Sequence, residues 1–252
     1  PNQATDSREI SVKLLKLTPT PGELELVSHE QLREYFALRY WAAPSFLLNF
    51  VSTQAGEFVG PNQSSRDISN ELDYQVLMGY RQAADGIFTT AQTARIEQYR
   101  RSRLAPLALI SKTADFSGIP AVESEQSLPT NSQVFLLVKR NQLRATKARY
   151  TAPWVNVVSI GFGSAFEISF RLTRLGWRRI LVEAGPKFSR WLISKSMIRG
   201  LSLTIVGVTT QNPLEAARAA LAKLGIAGAE LESADMIDQT MFTRWTNLEP
   251  IR

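Results

Sequence analysis

The sequence of 252 residues contains no cysteine and a single histidine, His29. The lack of cysteine excludes a disulfide framework, a thiolate nucleophile, a zinc ribbon and an iron–sulfur cluster. A histidine metal site or a Ser-His-Asp triad would need His29, which lies in a polar helical pattern and is expected at the surface. We therefore predict no metal site, and several large classes of enzyme are disfavoured.

Long apolar segments are also lacking. No run approaches the roughly 20 residues that span a bilayer. The polar start, Pro1–Arg8, has neither the apolar region nor the cleavage site of a secretory signal. We therefore predict a cytoplasmic protein without membrane contact.

The charge is moderately basic, since 29 Lys and Arg stand against 23 Asp and Glu, a formal net charge of +6. Acidic residues are mixed through the chain and no recognition motif accompanies the basic ones, which favours solvated surfaces and no nucleic-acid partner. A nucleic-acid module remains the distant alternative, because the basic residues gather at Arg95–Arg103, Lys139–Arg149 and Arg171–Arg179.

From residue 45 onward, short apolar runs alternate with helical patterns. The runs are typical of buried strands: Ser45–Ser52, Gly86–Thr90, Leu107–Ser111, Val134–Val138, Val155–Ile160, Arg179–Glu183, Leu201–Val208 and an edge strand at Met241–Trp245. Capping and stop signals predict helices at His29–Arg39, Asn70–Ala84, Ser164–Leu175, Pro186–Met197 and Pro213–Leu224. This alternation indicates a three-layer α/β fold, with a mostly parallel central sheet and helices on both faces.

The domain organisation follows from the same patterns. Residues 1–30 read as a loosely ordered leader, and the first helix is followed by a break at Trp41–Pro44. We therefore predict a leader and helix at residues 1–44 and one α/β domain at residues 45–252.

In such folds ligands bind at the carboxyl ends of the strands. Two junctions there are rich in glycine: one contains Gly161 and Gly163, and the other is Glu183–Pro186. Glycine permits close approach and a helix N-terminus favours anions, so either could hold a phosphate; an ordinary turn is the alternative for both. Glu183 ends an apolar strand, so its carboxylate must face a cleft or be paired, which makes it a candidate site residue.

Four segments resemble the pyrimidine reductase domain of riboflavin biosynthesis, a family with a dihydrofolate-reductase-like fold. Asn49–Ser52 is similar to the family's first strand and Ile68–Asp85 to its first helix. Thr93–Tyr99 resembles Thr-Val-Arg-Ala-Glu-x-Tyr, and Ile180–Ile198 resembles the Val-Glu-Gly/Ala-Gly-Pro unit, the most specific of the four. The resemblance covers about residues 45–245.

The resemblance implies an NADPH-dependent reductase, a homodimer, that transfers hydride to a ribosylamino-pyrimidine phosphate or a related small ring compound. It implies that Thr93 and Glu97 face the cofactor and that Arg95 neutralises phosphate charge. The implied phosphate cradle is Gly185, Pro186, Lys187, Phe188 and Ser189, and the implied substrate residues are Ser65, Arg81 and Glu183.

One departure from the family pattern leaves an alternative open. Gln54 stands where the family has an Asp, and an amide cannot act as a carboxylate acid or base. Hydride transfer mainly requires positioning, so turnover without that Asp is possible. The alternative is a family member that binds a dinucleotide and has lost catalysis at the site of Gln54 and Glu183.

Overall fold

The computed structural model of the chain describes residues 9–18, 20–40, 45–125, 132–210 and 212–251, which fall into two compact units. Unit 1 comprises the described residues of 1–43, 49–83 and 199–252, and unit 2 those of 44–48 and 84–198. The predicted polar start and the predicted break at 41–44 lie outside the described residues. The division at residues 44 and 45 stays a prediction.

Unit 1 is built on antiparallel strands in the order β2-β1-β10-β11-β9. They are β1 (Glu9–Thr18), β2 (Gly22–Ser28), β9 (Ile198–Val206, whose first residue belongs to unit 2), β10 (Ile226–Ile237) and β11 (Thr240–Pro250). Its helices are α1 (His29–Tyr40), α2 (Glu71–Ala83), α8 (Pro213–Lys223) and the 3-10 turn η1 (Ser65–Asp67). The prediction of an edge strand near residue 241 was wrong in position, because β11 lies between β10 and β9.

The N-terminal part of unit 1 differs from the expectation of a loosely ordered segment. Strands β1 and β2 pair with each other, and β1 also pairs with β10. His29 is buried, with 8% of its surface exposed, rather than at the surface as predicted. It follows β2 without a loop and starts α1 on the buried side of the helix, together with Leu32, while Glu30 and Gln31 are exposed.

Unit 2 contains parallel strands in the order β3-β8-β4-β5-β6-β7. They are β3 (Ser45–Thr53, whose last five residues belong to unit 1), β4 (Gly86–Thr90), β5 (Leu107–Ile110), β6 (Val134–Val138), β7 (Val155–Ser159) and β8 (Arg179–Val182). The helices are α3 (Ala91–Ile96), α4 (Pro120–Glu123), α5 (Leu143–Arg149), α6 (Ala165–Arg174) and α7 (Pro186–Ser194), with the 3-10 turn η2 (Arg140–Gln142) before α5.

The connections of unit 2 place helices on both sides of its strands. The chain moves outward from β6 through α5 to β7 and then returns through α6 to β8. Right-handed crossovers in opposite directions put α5 and α6 on opposite faces. The predicted α/β class with parallel strands and helices on both faces is therefore confirmed here, while the antiparallel strands of unit 1 are an addition that the patterns did not predict.

Two features are absent from the residues that the structure describes. Among these residues, no helix is both long and apolar enough to cross a bilayer. The same residues contain no group of three or more His, Cys, Asp or Glu side chains that could hold a metal ion.

Candidate active site

The carboxyl ends of β4 and β8 lie side by side in unit 2. Phe88 of β4 is opposite Val182 of β8 in the parallel register. The next residue, Glu183, donates its amide to the Phe88 carbonyl at 3.0 Å, and its own carbonyl accepts a hydrogen bond from the Thr89 hydroxyl. The backbone of Glu183 is thus held on both sides at the edge where ligands bind in α/β folds.

The side chain of Glu183 is buried, with 7% of its surface exposed. Its Oε2 accepts a hydrogen bond of 2.5 Å from the Tyr99 hydroxyl. The sequence argument required this carboxylate to be paired or to face a cleft, and the structure pairs it with a phenol. A buried carboxylate needs such a donor, because burial without one is costly.

Thr93 joins the turn that follows β4 to the turn that follows β8. Thr90 caps α3: its Oγ1 accepts the Thr93 amide at 3.0 Å and lies 2.9 Å from the Thr93 hydroxyl. Thr93 Oγ1 in turn accepts the Gly185 amide at 3.2 Å. Predicted cofactor residues from two distant parts of the sequence are therefore brought together.

The N-terminus of α7 has the features of an anion site. Its cap is Gly185, no side chain among the described residues caps it, and its first turn holds Lys187 but no acidic residue. The φ of Gly185 is −63°, which any residue adopts, and an added Cβ would meet only Thr93 Oγ1, at 3.7 Å. Neither conformation nor crowding requires glycine here, so its missing side chain leaves the helix N-terminus open to a ligand.

Two other residues of the predicted cradle, Ser189 and Phe188, hold α7 against neighbouring segments of unit 2. The Ser189 hydroxyl donates to the Ala184 carbonyl at 3.0 Å and is fully buried. The Phe188 ring packs edge-on against Phe88, with 5.8 Å between ring centroids. Any contact of these two residues and of Pro186 with a phosphate stays a prediction.

The glycine-rich turn between β7 and α6 differs from the turn at α7, because the Glu167 side chain occupies the turn before α6. The Glu167 carboxylate accepts the amides of Ser164 and Phe162 at 3.0 and 3.1 Å. These bonds, led by that from Ser164, hold the pKa of Glu167 below its ordinary value. Gly161 has φ +59°, and a Cβ there would lie 1.8 Å from Glu167 Oε1; Gly163 has φ +85°. Both glycines have a structural reason, and a role in cofactor binding stays a prediction.

Arg95 and Glu97 lie beside Thr93 with different surroundings. The Arg95 guanidinium donates to the Ser117 carbonyl at 2.8 Å and lies 3.7 Å from the Asp115 carboxylate, so it holds the loop after β5. Glu97 is buried and donates its amide to the Thr93 carbonyl at 2.8 Å. Phosphate neutralisation by Arg95 and cofactor contact by Glu97 stay predictions.

Three predicted residues belong to unit 1. Gln54 Oε1 accepts the Thr209 amide at 2.6 Å and its hydroxyl at 3.3 Å. Ser65 begins η1, and Arg81 is in the last turn of α2. The substrate roles of Ser65 and Arg81 and the catalytic role of Gln54 stay predictions.

Sequence reasoning missed the roles of Tyr99 and Thr90. Tyr99 was part of the recognised Thr93–Tyr99 segment without a role, and its partner is 84 positions away, so only folding reveals the pair. The Thr90 cap could have been found from the sequence. Threonine is a common N-cap residue, and Thr90 stands directly between a strand and the first residue of a helix.

Comparison with known proteins supports the fold. No family model matches the sequence, and neither does any curated protein. A pyrimidine reductase-like protein of Corynebacterium diphtheriae is 19% identical, with a TM-score of 0.62 over 82% of this chain and 92% of that one. The deaminase/5-amino-6-(5-phosphoribosylamino)uracil reductase of Thermotoga maritima is 15% identical, with a TM-score of 0.60 over 84% of this chain and 59% of that one.

A third solved structure, the riboflavin biosynthesis reductase of Saccharomyces cerevisiae, is 12% identical, with a TM-score of 0.51 over 82% of this chain and 90% of that one. At such identities the similarity shows the fold. The chain therefore has the α/β fold of the pyrimidine reductases, as its sequence resemblance implied.

Proposed function

We propose that this protein is an NADPH-dependent reductase of the pyrimidine-reductase type, acting on a ribosylamino-pyrimidine phosphate or a related small ring compound. The observation that carries the proposal is the pair of turns at the carboxyl ends of β4 and β8. There the open N-terminus of α7, joined to Thr93, begins two residues after the buried Glu183. A phosphate site adjoining a fixed carboxylate suits a reductase with this fold.

The residues at α7 fit the cofactor. The phosphates would be held at Gly185 and Lys187 by the helix N-terminus and the ammonium group, with Thr93 fixing the Gly185 amide. When bound, the dihydronicotinamide supplies a hydride. The chain supplies position: Glu183, held at its backbone and at Oε2, presents a fixed carboxylate to a polar group of the substrate.

Thermal unfolding with NADPH, and with NADH beside it, tests the proposal first. A ligand at 100 times its dissociation constant stabilises by about 2.7 kcal/mol, and a protein of this size gains roughly 2–4 °C per kcal/mol. We expect the midpoint to rise by several degrees with NADPH and less with NADH. Loss of NADPH absorbance with the pyrimidine substrate then measures turnover.

The outcomes separate the proposal from its alternative. No shift with either nucleotide would contradict the cofactor assignment. A shift with NADPH without turnover on any pyrimidine would favour the dinucleotide-binding protein that has lost catalysis. Homodimer formation, cytoplasmic location and the absence of a nucleic-acid partner are part of the proposal. Sedimentation tests homodimer formation, and binding assays test the absence of a nucleic-acid partner.

A further inference from the structure

We propose that Tyr99 is a positioning residue of the reductase: its hydroxyl holds the Glu183 carboxylate in the orientation that contacts the substrate. This inference rests on the proposed function. It concerns the hydroxyl that donates to Glu183 Oε2 at 2.5 Å, a contact made by a side chain outside the proposed phosphate cradle.

The backbone fixes Tyr99 firmly. Helix α3 ends at Ile96, and Gln98 adopts a left-handed φ of +49°, which turns the chain at the residue before Tyr99. The Tyr99 amide donates to the Ala94 carbonyl at 2.8 Å, and its carbonyl accepts the Ala121 amide at 2.8 Å. A strained turn held by two hydrogen bonds is a conformation that the surroundings must maintain.

The aromatic ring is fixed as well. Tyr99 packs against the buried cluster of unit 2 that contains Ile119, Ala121 and Leu109. The ring therefore has little freedom, and the hydroxyl is presented to Glu183 from a rigid support. Preorganised support of this kind is what keeps a functional group within a fraction of an ångström of its working geometry.

Glu183 itself is restrained only in part by its backbone. The contacts to Phe88 and Thr89 fix its main chain, but the carboxylate is three bonds from Cα and can rotate unless a side chain holds it. The phenol restrains that rotation through its hydrogen bond to Oε2. Loss of the hydroxyl would leave the orientation of the carboxylate less well defined.

The test is a double-mutant cycle on the full chain, with Tyr99→Phe, Glu183→Gln and the pair. We expect Tyr99→Phe to lower kcat/KM for the pyrimidine substrate about 10- to 100-fold, because small misplacements of a reacting group have effects of that order. The KM for NADPH and the NADPH-dependent rise in unfolding midpoint should not change. In the Glu183→Gln background, Tyr99→Phe should change kcat/KM less than about twofold.

Tyr150→Phe is the matched control. Tyr150 packs against the same cluster, but its hydroxyl accepts the Phe116 amide at 2.8 Å and lies 3.4 Å from Asp115 Oδ1. Loss of this hydroxyl should leave kcat/KM for the pyrimidine unchanged. This control separates the loss of a tyrosine hydroxyl next to the core from the loss of the contact to Glu183.

A spectroscopic measurement serves if Tyr99→Phe fails to fold. The ultraviolet difference spectrum of Glu183→Gln against wild type should contain a tyrosine band, because the Tyr99 phenol exchanges its carboxylate acceptor for an amide. The same difference taken between Tyr150→Phe and the double variant Tyr150→Phe/Glu183→Gln should retain that band. A spectrum without it would overturn the proposal.

The kinetic outcomes are distinguishable from failure of the proposed function. Wild-type protein that does not oxidise NADPH with any pyrimidine refutes the proposed function, and the positioning role with it, before any variant is made. Active wild type with an equally active Tyr99→Phe overturns the positioning role alone. An equal loss in the wild-type and Glu183→Gln backgrounds would also overturn it, because Tyr99 would then act independently of the carboxylate.

Discussion

At the scale of single residues, glycine occurs in two similar turns, at positions 161 and 185, for different physical reasons. Gly161 has a positive φ, and a Cβ would collide with Glu167. Gly185 has a φ that any residue adopts and room for a Cβ. A glycine that its own fold does not require points to a ligand, whereas one that the fold requires has a sufficient explanation already.

Gly185→Ser tests this distinction. Serine is a favourable N-cap, so we expect the unfolding midpoint without ligand to be kept or raised. Its hydroxyl would accept the amides of the first turn of α7 and compete with a phosphate, so NADPH should raise the midpoint much less than in wild type. A full NADPH-dependent rise in Gly185→Ser would contradict the cradle.

Gly161→Ala serves as the comparison for that experiment. Its positive φ and the 1.8 Å approach to Glu167 Oε1 predict a lower unfolding midpoint without ligand. If the phosphates are held at α7 alone, the NADPH-dependent rise should remain, and its loss would instead support the predicted cofactor role of Gly161. With the phosphates at α7, Gly185→Ser should thus reduce the NADPH-dependent rise without lowering the midpoint of the free protein. Gly161→Ala should lower the midpoint of the free protein without reducing the NADPH-dependent rise.

At the scale of secondary structure elements, the start of α6 shows how local sequence determines a helix end. Ser164 Oγ accepts the Glu167 amide at 3.2 Å, and the Glu167 carboxylate accepts the Ser164 amide at 3.0 Å. The two groups form a reciprocal capping box that satisfies backbone donors at the helix N-terminus. The same helix end therefore cannot bind an external anion without displacing Glu167.

Ser164→Ala should lower the free energy of unfolding by about 1 kcal/mol, the usual cost of removing an N-cap hydroxyl. Ser169→Ala, in the middle of α6, is the control and should change it by less than about 0.5 kcal/mol. Denaturant titrations of both variants measure the difference. Equal stabilities would show that the Glu167 carboxylate alone suffices at this helix end.

At the scale of the whole molecule, buried and paired carboxylates make stability depend on pH in opposite directions. Burial raises the pKa of Asp73 in unit 1, with an opposing hydrogen bond from Ser69. Burial also acts to raise the pKa of Asp85 in unit 2. There the hydrogen bonds from the amides of Arg179 and Arg178 and from the Arg179 guanidinium outweigh it, and the pKa lies below its ordinary value.

Asp85→Asn should reduce the free energy of unfolding at pH 7 by about 1 kcal/mol, because hydrogen bonds to a charged acceptor are lost. A carboxylate whose folded pKa is lowered stabilises above its unfolded pKa of about 4 and loses that contribution as the pH falls through the folded value. The deficit of Asp85→Asn should therefore shrink below about pH 4. Urea titrations at several pH values measure it.

Exposed Asp238 provides the matched control for that series. Asp238→Asn should change the free energy of unfolding at pH 7 by less than about 0.5 kcal/mol. A constant deficit of Asp85→Asn at all pH values would mean that the charge of Asp85 contributes nothing and that the lost acceptor oxygen explains the whole effect.

Much of unit 2 was predictable, because its information is local. Continuous apolar runs predict buried parallel strands, and helix starts carry local signals, such as the proline at the first position of α7 and the Ser164 cap of α6. Strands β1, β2 and β10 were missed for the opposite reason. The β10 segment IAGAELESADMI contains few strong strand formers and is a strand because β1 and β11 pair with it on either side.

The sequence by itself determined the α/β character, the strand positions of unit 2 with its helices α6 and α7 but not α3, α4 and α5, and the candidate status of Glu183 and of both glycine-rich turns. Each follows from residue types and from neighbours within one or two turns of chain. Only the tertiary structure decided which turn is closed by Glu167 and which remains open at Gly185, that Thr93 bonds to Gly185, and that Tyr99 holds Glu183. The physical reason is distance along the chain: the latter two contacts join residues 92 and 84 positions apart, and no local propensity encodes a hydrogen bond between such partners.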